Sequence, residues 1–247
     1  MLDGPVIPTS GPALQAVALT MRFGGVVAVD RVDFSLDHKE LRCLIGPNGA
    51  GKSTFFRCIA GLYAPTSGEI LLGGRRATGE QVHSIAQRGV GIKTQVPQLM
   101  NGLPVLENLW LAARRVYPKS AASEAAQQVL ENLQLQPIAQ RNAGDLAHGQ
   151  RQMVELGMVL VGKPWLVLLD EPAGGLAQHE VERMAEAVVA ANRTAAVVVV
   201  EHDMAFVRRI AQSVTVFHQG RVLTEGRADA VLSDERVKNV YLGKKPQ

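Results

Sequence analysis

Gly46-Pro47-Asn48-Gly49-Ala50-Gly51-Lys52-Ser53-Thr54 follows the apolar run Leu41-Arg42-Cys43-Leu44-Ile45 and runs into the helix-like Phe55-Phe56-Arg57-Cys58-Ile59-Ala60. A strand, a glycine-rich turn and a helix are the setting in which G-x-x-x-x-G-K-[ST] acts as a phosphate-binding loop. Glycine tolerates positive φ, so the backbone can turn successive N–H groups toward one anion. The start of the helix adds partial positive charge at the same point. Lys52 is then placed to reach the β- and γ-phosphates, and the Ser53 hydroxyl to ligate Mg²⁺. The pattern alone also occurs in ordinary glycine-rich turns. The strand before it and the helix after it are what point to a nucleoside triphosphate.

A second stretch bears on what happens to that nucleotide. Trp165-Leu166-Val167-Leu168-Leu169, preceded by Pro164, is continuously apolar and ends in Asp170-Glu171-Pro172. An unbroken apolar run reads as a central parallel strand buried on both faces. Its C-terminal end is where an open α/β sheet binds ligands. Asp170 is placed to hold the water shell of Mg²⁺ and Glu171 to polarise an attacking water, although two solvated acids at a strand end would look the same in isolation.

Three further segments occur in fixed order: Gln95 after the short strand Val90-Gly91-Ile92-Lys93, Leu146-Ala147-His148-Gly149-Gln150 opening a helical pattern that runs to about Leu160, and His202 at the end of the strand Ala195 to Glu201. With that order the chain resembles the ATP-binding subunits of ABC transporters, from about Leu14 to Gly243. P-loop kinases and GTPases lack the Leu-x-x-Gly-Gln segment before the Asp-Glu strand, and no Asn-Lys-x-Asp guanine motif is present. The resemblance implies an α/β fold: a P-loop NTPase core with a mainly parallel sheet, an N-terminal antiparallel β subdomain and an inserted helical subdomain. It implies ATP and Mg²⁺, with Gly46, Asn48, Gly49, Ala50, Gly51, Lys52, Ser53 and Thr54 around the phosphates. Ser53, Gln95 and Asp170 would serve the metal, and Glu171, Gln95 and His202 the hydrolytic water. Phe23 would stack on adenine, with core packing as the alternative. A second subunit would present its copy of Leu146, Ala147, His148, Gly149 and Gln150 to the γ-phosphate from a helix N-terminus.

Along the chain, residues 1–13 read as a loose Pro/Gly/Ser-rich leader, 14–96 and 162–225 as the nucleotide core, 97–161 as the helical subdomain and 226–247 as a helical tail. Strands are expected at Leu14–Thr20 and Val26–Leu36 with Phe23 in the loop between them, and at Glu69–Leu72, Thr194–Val200, Val214–His218 and Arg221–Thr224. Helices are expected at Val105–Leu111, Ser123–Leu135, Gln178–Asn192, Met204–Ala211, Ala228–Leu232 and Glu235–Leu242.

The 247 residues are 47% hydrophobic, enough for one sizeable core and a smaller subdomain. A net charge of +3 and scattered basic pairs argue against nucleic acid. No run reaches the roughly 20 apolar residues of a bilayer span, and no basic-then-apolar secretory signal is seen. Cys43 and Cys58 sit in apolar patterns and read as buried thiols, as suits the cytosol. Membrane association would therefore come through a partner. The resemblance implies two membrane-spanning permeases, with this chain peripheral at the cytoplasmic face of the membrane and a solute-binding protein acting through the permeases.

Glu201-His202-Asp203-Met204, Phe217 to Leu223 and Tyr241-Leu242-Gly243 resemble the ATPases of importers for branched-chain amino acids and for urea and short amides. Leu41-Arg42-Cys43 and His148 look like the urea-type members. Arg236 to Gly243 also resembles the ATPase of lipopolysaccharide export, but the Glu-His-Asp-Met segment does not. Non-transport ABC modules and a subunit with negligible turnover stay open, although the former usually carry two nucleotide domains. Two residues depart from the family pattern: Ala147 where Ser is common and Ala177 where Asp is usual. Both weaken what this chain offers a partner's site and not its own phosphate loop, which fits a heterodimer with one strong and one weak site, while a homodimer stays open.

Overall fold

The computed structural model describes residues 11–95 and 98–241. The first ten residues of the expected leader, Pro97 at the start of the helical stretch, and Leu242-Gly243 of the tail motif lie outside the described residues.

The chain begins with β1 (Leu14–Phe23), β2 (Val26–Leu36) and β3 (Leu41–Ile45), then α1 (Lys52–Ile59). β4 (Ser67–Leu72), the two-residue β5 (Arg75–Arg76), α2 (Val82–Gln87) and β6 (Val90–Lys93) follow. The helical stretch contains α3 (Val105–Ala113), α4 (Lys119–Asn132), two 3₁₀ turns and α5 (His148–Leu160). Strands and helices then alternate: β7 (Leu166–Asp170), α6 (Gln178–Asn192), β8 (Ala196–Val200), α7 (Met204–Ile210), β9 (Ser213–His218) and β10 (Arg221–Arg227). α8 (Ala228–Ser233) and α9 (Glu235–Tyr241) close the described chain.

Two sheets form. β2-β1-β4-β5 is antiparallel, as the N-terminal β subdomain requires. β10-β9-β3-β8-β7-β6 is parallel except for the β9–β10 hairpin. The inner strands read as unbroken apolar runs because both faces are buried, so successive side chains enter different cores. Leu44, Leu166, Leu168, Val198 and Val200 join one cluster with α1 and the antiparallel sheet. Cys43, Ile45, Val167, Leu169, Val197 and Val199 join the other, with α3 to α7. α1 lies between the sheets, and the rings of Phe34, Phe55 and Phe217 form a continuous chain with centroids 5.3 Å apart at each step.

Several expectations need correction. β1 does not stop at Thr20 but continues to Phe23, which pairs with Val26 across the turn Gly24-Gly25. Gly24, at φ 56°, supplies the positive φ that a two-residue hairpin turn demands at its first central position, and the turn draws Phe23 into the ladder. β8 ends at Val200, so His202 lies in the loop before α7 rather than at a strand end. The cause is local: Glu201 Oε2 takes the His202 and Asp203 N–H groups, and Asp203 Oδ1 caps α7 through Ala205 and Phe206. α4 starts earlier than expected, just after Pro118, whose fixed φ suits a helix entry. α2 and β5, short and weakly patterned, had no counterpart among the expected elements.

Candidate active site

The C-terminal edge of the parallel sheet gathers the candidate residues by register. Leu44 pairs with Val200, Asp170 with Val200, and Lys93 with Leu169. Continuing each strand by one or two residues brings Gly46, Glu171, His202 and Gln95 to the same edge. There the chain turns sharply. Gly46 has φ 144° and Gly51 has φ 103°, and a Cβ on them would stand 2.2 Å from the Phe217 carbonyl oxygen and 2.4 Å from that of Ala28. No side chain fits at either point. Ala50 is buried against the core while Asn48 and Gly49 are exposed at the turn's tip, and Ser53 and Thr54 open α1 half-buried.

Lys52 is 6% exposed, and its ammonium donates to the Gly46 and Pro47 carbonyl oxygens at 2.7 and 3.0 Å. Burial holds its pKa below the usual lysine value, partly opposed by the charges of Glu171 and Asp170. The loop is thus curled around its own cation. An incoming phosphate would compete with two neutral carbonyls for a charge short of partners, which favours the phosphate.

Asp170 is 2% exposed, and its Oδ1 has no hydrogen-bond partner among the described residues. Burial first, then the neighbouring Glu171, push its pKa up to about 6, against smaller opposing contributions from Arg57 and Lys93. A buried carboxylate oxygen without a donor suits a hard divalent cation, which takes oxygen ligands and keeps several waters. The half-buried Ser53 hydroxyl in the first turn of α1 is a second oxygen of the kind such a cation takes. Ser53 and Asp170 therefore fit Mg²⁺. Among the described residues no cluster of three or more His, Cys, Asp or Glu is placed to hold a metal ion. Because the folded pKa lies above the unfolded one, the stability Asp170 contributes is full below the ordinary carboxylate value and is lost as pH rises through about 6. A cation using the ionised group must displace that proton. The Mg²⁺ dependence of nucleotide binding is thus expected to weaken by about tenfold per pH unit below pH 6. Calorimetric titrations at pH 5 and pH 7.5 check this, and Asp170→Asn is expected to abolish the pH dependence.

Glu171 adopts φ 48°, which a non-glycine residue seldom does, and donates its N–H to the Val200 carbonyl at 2.9 Å. Strain of this kind persists only where surrounding bonds impose it. Its side chain is 31% exposed, with Oε1 3.7 Å from His202 Nδ1. Gln95 is exposed two residues past β6.

Leu146 is buried, Ala147 is the uncapped residue preceding α5, and His148 is exposed in its first turn. The Gln150 side-chain oxygen accepts the Ala147 N–H at 3.2 Å, doing part of a cap's work from inside the helix. His148 Nε2 lies 2.9 Å from the Gly174 carbonyl, linking the segment to the loop after Glu171. A Cβ on Gly149 would collide with the Glu180 carboxylate at 2.0 Å, so α6 packs directly onto this helix start. Leu146 to Gln150 thus lead into and open α5 in the helical layer, and they meet the loop after Glu171 through His148. Phe23 is 44% exposed and meets Tyr63 edge-on at 5.5 Å, so core packing does not account for it. Tyr63, held by Arg57, was not singled out from sequence, because its position is set by the turn after α1.

Two other features escaped the sequence reading. Lys93 and Glu155, 3% and 7% exposed, pair at 3.2 Å and join β6 to α5. Glu201 is completely buried beside the catalytic candidates. Lys93 and Glu155 lie far apart in sequence, and the Ala173 N–H that reaches Glu201 comes from another loop, so no spacing announces either contact.

Comparison with known proteins agrees with this geometry. The family model described as ABC transporter matches residues 29–174. The high-affinity branched-chain amino acid transport ATP-binding protein BraF of Pseudomonas aeruginosa is 36% identical, over 95% of this chain and 99% of its own length. LivG of Escherichia coli, with the same description, is 34% identical over 95% and 99%. Among solved structures, an ATP-binding cassette of an ABC transporter in its ADP conformation superposes with TM-score 0.84 at 26% identity, covering 95% of this chain and all of that one. A nucleotide-free cassette gives 0.85 at 26%, over 94% and 100%.

Proposed function

This chain belongs to the ABC transporter family, and on that premise we propose that it is the ATP-hydrolysing subunit of an importer for branched-chain or other hydrophobic amino acids, or for urea-like amides. The observation that carries the mechanism is the division of the site. The phosphate loop, Asp170, Glu171 and His202 share the sheet edge, whereas the Leu146–Gln150 segment belongs to the α5 N-terminus, with Ala147 and His148 exposed and His148 resting on the Gly174 carbonyl. A site so divided is completed by a second ATPase subunit placed head to tail, whose α5 N-terminus faces the γ-phosphate. The names of BraF and LivG support import rather than lipopolysaccharide export.

In this reading the working parts are a core of residues 14–96 and 162–225, a helical subdomain of 97–161 and a tail of 226–247. The phosphate loop and Lys52 bind and orient the triphosphate, and Phe23 presents an aromatic face to the adenine. Ser53, Asp170 and Gln95 would hold Mg²⁺, which neutralises charge developing on the phosphate oxygens. Glu171 accepts the proton of the attacking water, and His202 orients that water and the γ-phosphate. Gln95, between core and helices, links nucleotide state to subdomain rotation, which two membrane-spanning permeases would receive. A solute-binding protein would deliver the solute to those permeases. No described helix is long and apolar enough to cross a membrane. Peripheral attachment at the cytoplasmic face, through the permeases, is part of this reading. Reconstitution with its permeases tests the whole reading: ATP turnover should be stimulated and coupled to uptake of a branched-chain amino acid or a short amide. Turnover without uptake of either class would overturn the importer assignment.

Ala147 distinguishes the two kinds of dimer. Ala147→Ser restores a hydroxyl facing the partner's γ-phosphate and is expected to gain at most about 1.5–3 kcal/mol, one hydrogen bond to a charged oxygen. Beside a different ATPase, the gain should appear only in the mixture. In a homodimer it should appear in the isolated protein. ATP-dependent dimerisation and turnover, alone and mixed, separate these outcomes.

A further inference from the structure

Glu201 is a carboxylate with none of its surface exposed, and its Oε2 lies 3.7 Å from His202 Nδ1. It is satisfied by backbone instead. Oε1 accepts the Ala173 N–H at 3.0 Å, and Oε2 accepts those of His202 and Asp203 at 2.8 and 3.1 Å. These donors belong to two separate loops, one following β7 and one following β8. A carboxylate can do this because both of its oxygens are acceptors; an amide would turn an NH₂ toward backbone donors. A buried charge is costly, and a hydroxyl or apolar residue would fill a core position more cheaply.

The two loops are the ones that aim the hydrolytic groups. Glu171 stands at positive φ in a turn closed by the Gly174 N–H on its carbonyl at 3.2 Å, and Ala173 lies inside that turn. His202 leaves the backbone at an N–H that Glu201 holds, and Asp203, also held, caps α7. We propose that Glu201 is a positioning residue for hydrolysis, tying the turn after Glu171 to the His202 loop so that the two side chains keep one fixed separation. The proposal rests on the ATPase reading above. The Glu171 N–H on the Val200 carbonyl holds the start of the first loop to the end of β8, and Glu171 meets His202 at 3.7 Å. The Glu201 side chain adds the bond that fixes Ala173, in the body of the turn, to the His202 loop.

The test uses the full chain, assayed with its membrane partners, as Glu201→Gln and Glu201→Asp. Glu201→Gln is expected to lose at least about tenfold in kcat while nucleotide Kd stays within about twofold, because the phosphate loop is untouched. Glu201→Asp keeps two acceptors and should recover part of the loss. Hydrogen exchange at Ala173, His202 and Asp203 should accelerate in Glu201→Gln while β3, β7 and β8 keep their protection. Wild-type kcat in Glu201→Gln would overturn the proposal. So would equal losses of affinity and turnover with protection lost across the sheet, the mark of a merely structural residue. Should Glu201→Gln not fold, Glu201→Asp carries the same readouts, with kcat falling ahead of affinity. If wild type itself hydrolyses no ATP, the ATPase reading fails, and unchanged exchange at the three amides would separately refute the tether.

Discussion

Glu171→Gln is expected to bind ATP as the wild type does and to hydrolyse it roughly 10²–10⁴-fold more slowly, the usual contribution of a positioned general base. The amide keeps the size of the side chain and its backbone turn but cannot accept the water's proton. The other carboxylates near this edge are otherwise engaged. Asp170 is buried with an orphaned oxygen suited to a cation, and Glu201 has three backbone donors on it. Glu171 is partly open to solvent, with Oε1 3.7 Å from an imidazole nitrogen. Single-turnover hydrolysis alongside a nucleotide titration is the measurement. Turnover within a factor of two of wild type would remove Glu171 from the role.

Lys52→Ala is expected to act on the other half of the reaction, weakening nucleotide affinity by roughly 10–150-fold, since hydrogen bonds to charged groups contribute about 1.5–3 kcal/mol. The substitution also leaves the Gly46 and Pro47 carbonyls without the donor that now joins them. Lys52→Arg is no remedy, because the side chain is 6% exposed and the longer guanidinium has no room beside the two carbonyls. Fluorescent-nucleotide titration reads the loss directly. Unchanged affinity would mean that the loop's N–H groups alone hold the phosphates.

Much of this architecture is written in short-range chemistry. Gly46 to Thr54, Trp165 to Glu171 and Leu146 to Gln150 announce themselves because each needs a particular backbone or charge within a few residues. The apolar strands are legible because burial on both faces removes every polar residue from them. Exact ends are less so: β1 runs on to Phe23 and β8 stops at Val200, each decided by bonds to other segments.

What the sequence by itself determined is therefore the family, the α/β fold, the phosphate loop and the identity of the charged groups at the strand ends, since local pattern and residue type suffice for these. Only the tertiary structure decided which of those groups are free to act. Tertiary packing leaves Asp170 with an unpartnered oxygen, bonds Glu201 to two loops, pairs Lys93 with Glu155 across two layers and sets Phe23 against Tyr63 at the surface. Each depends on segments tens of residues apart arriving at one place, and the availability of a charge is set by the donors and the burial it meets there.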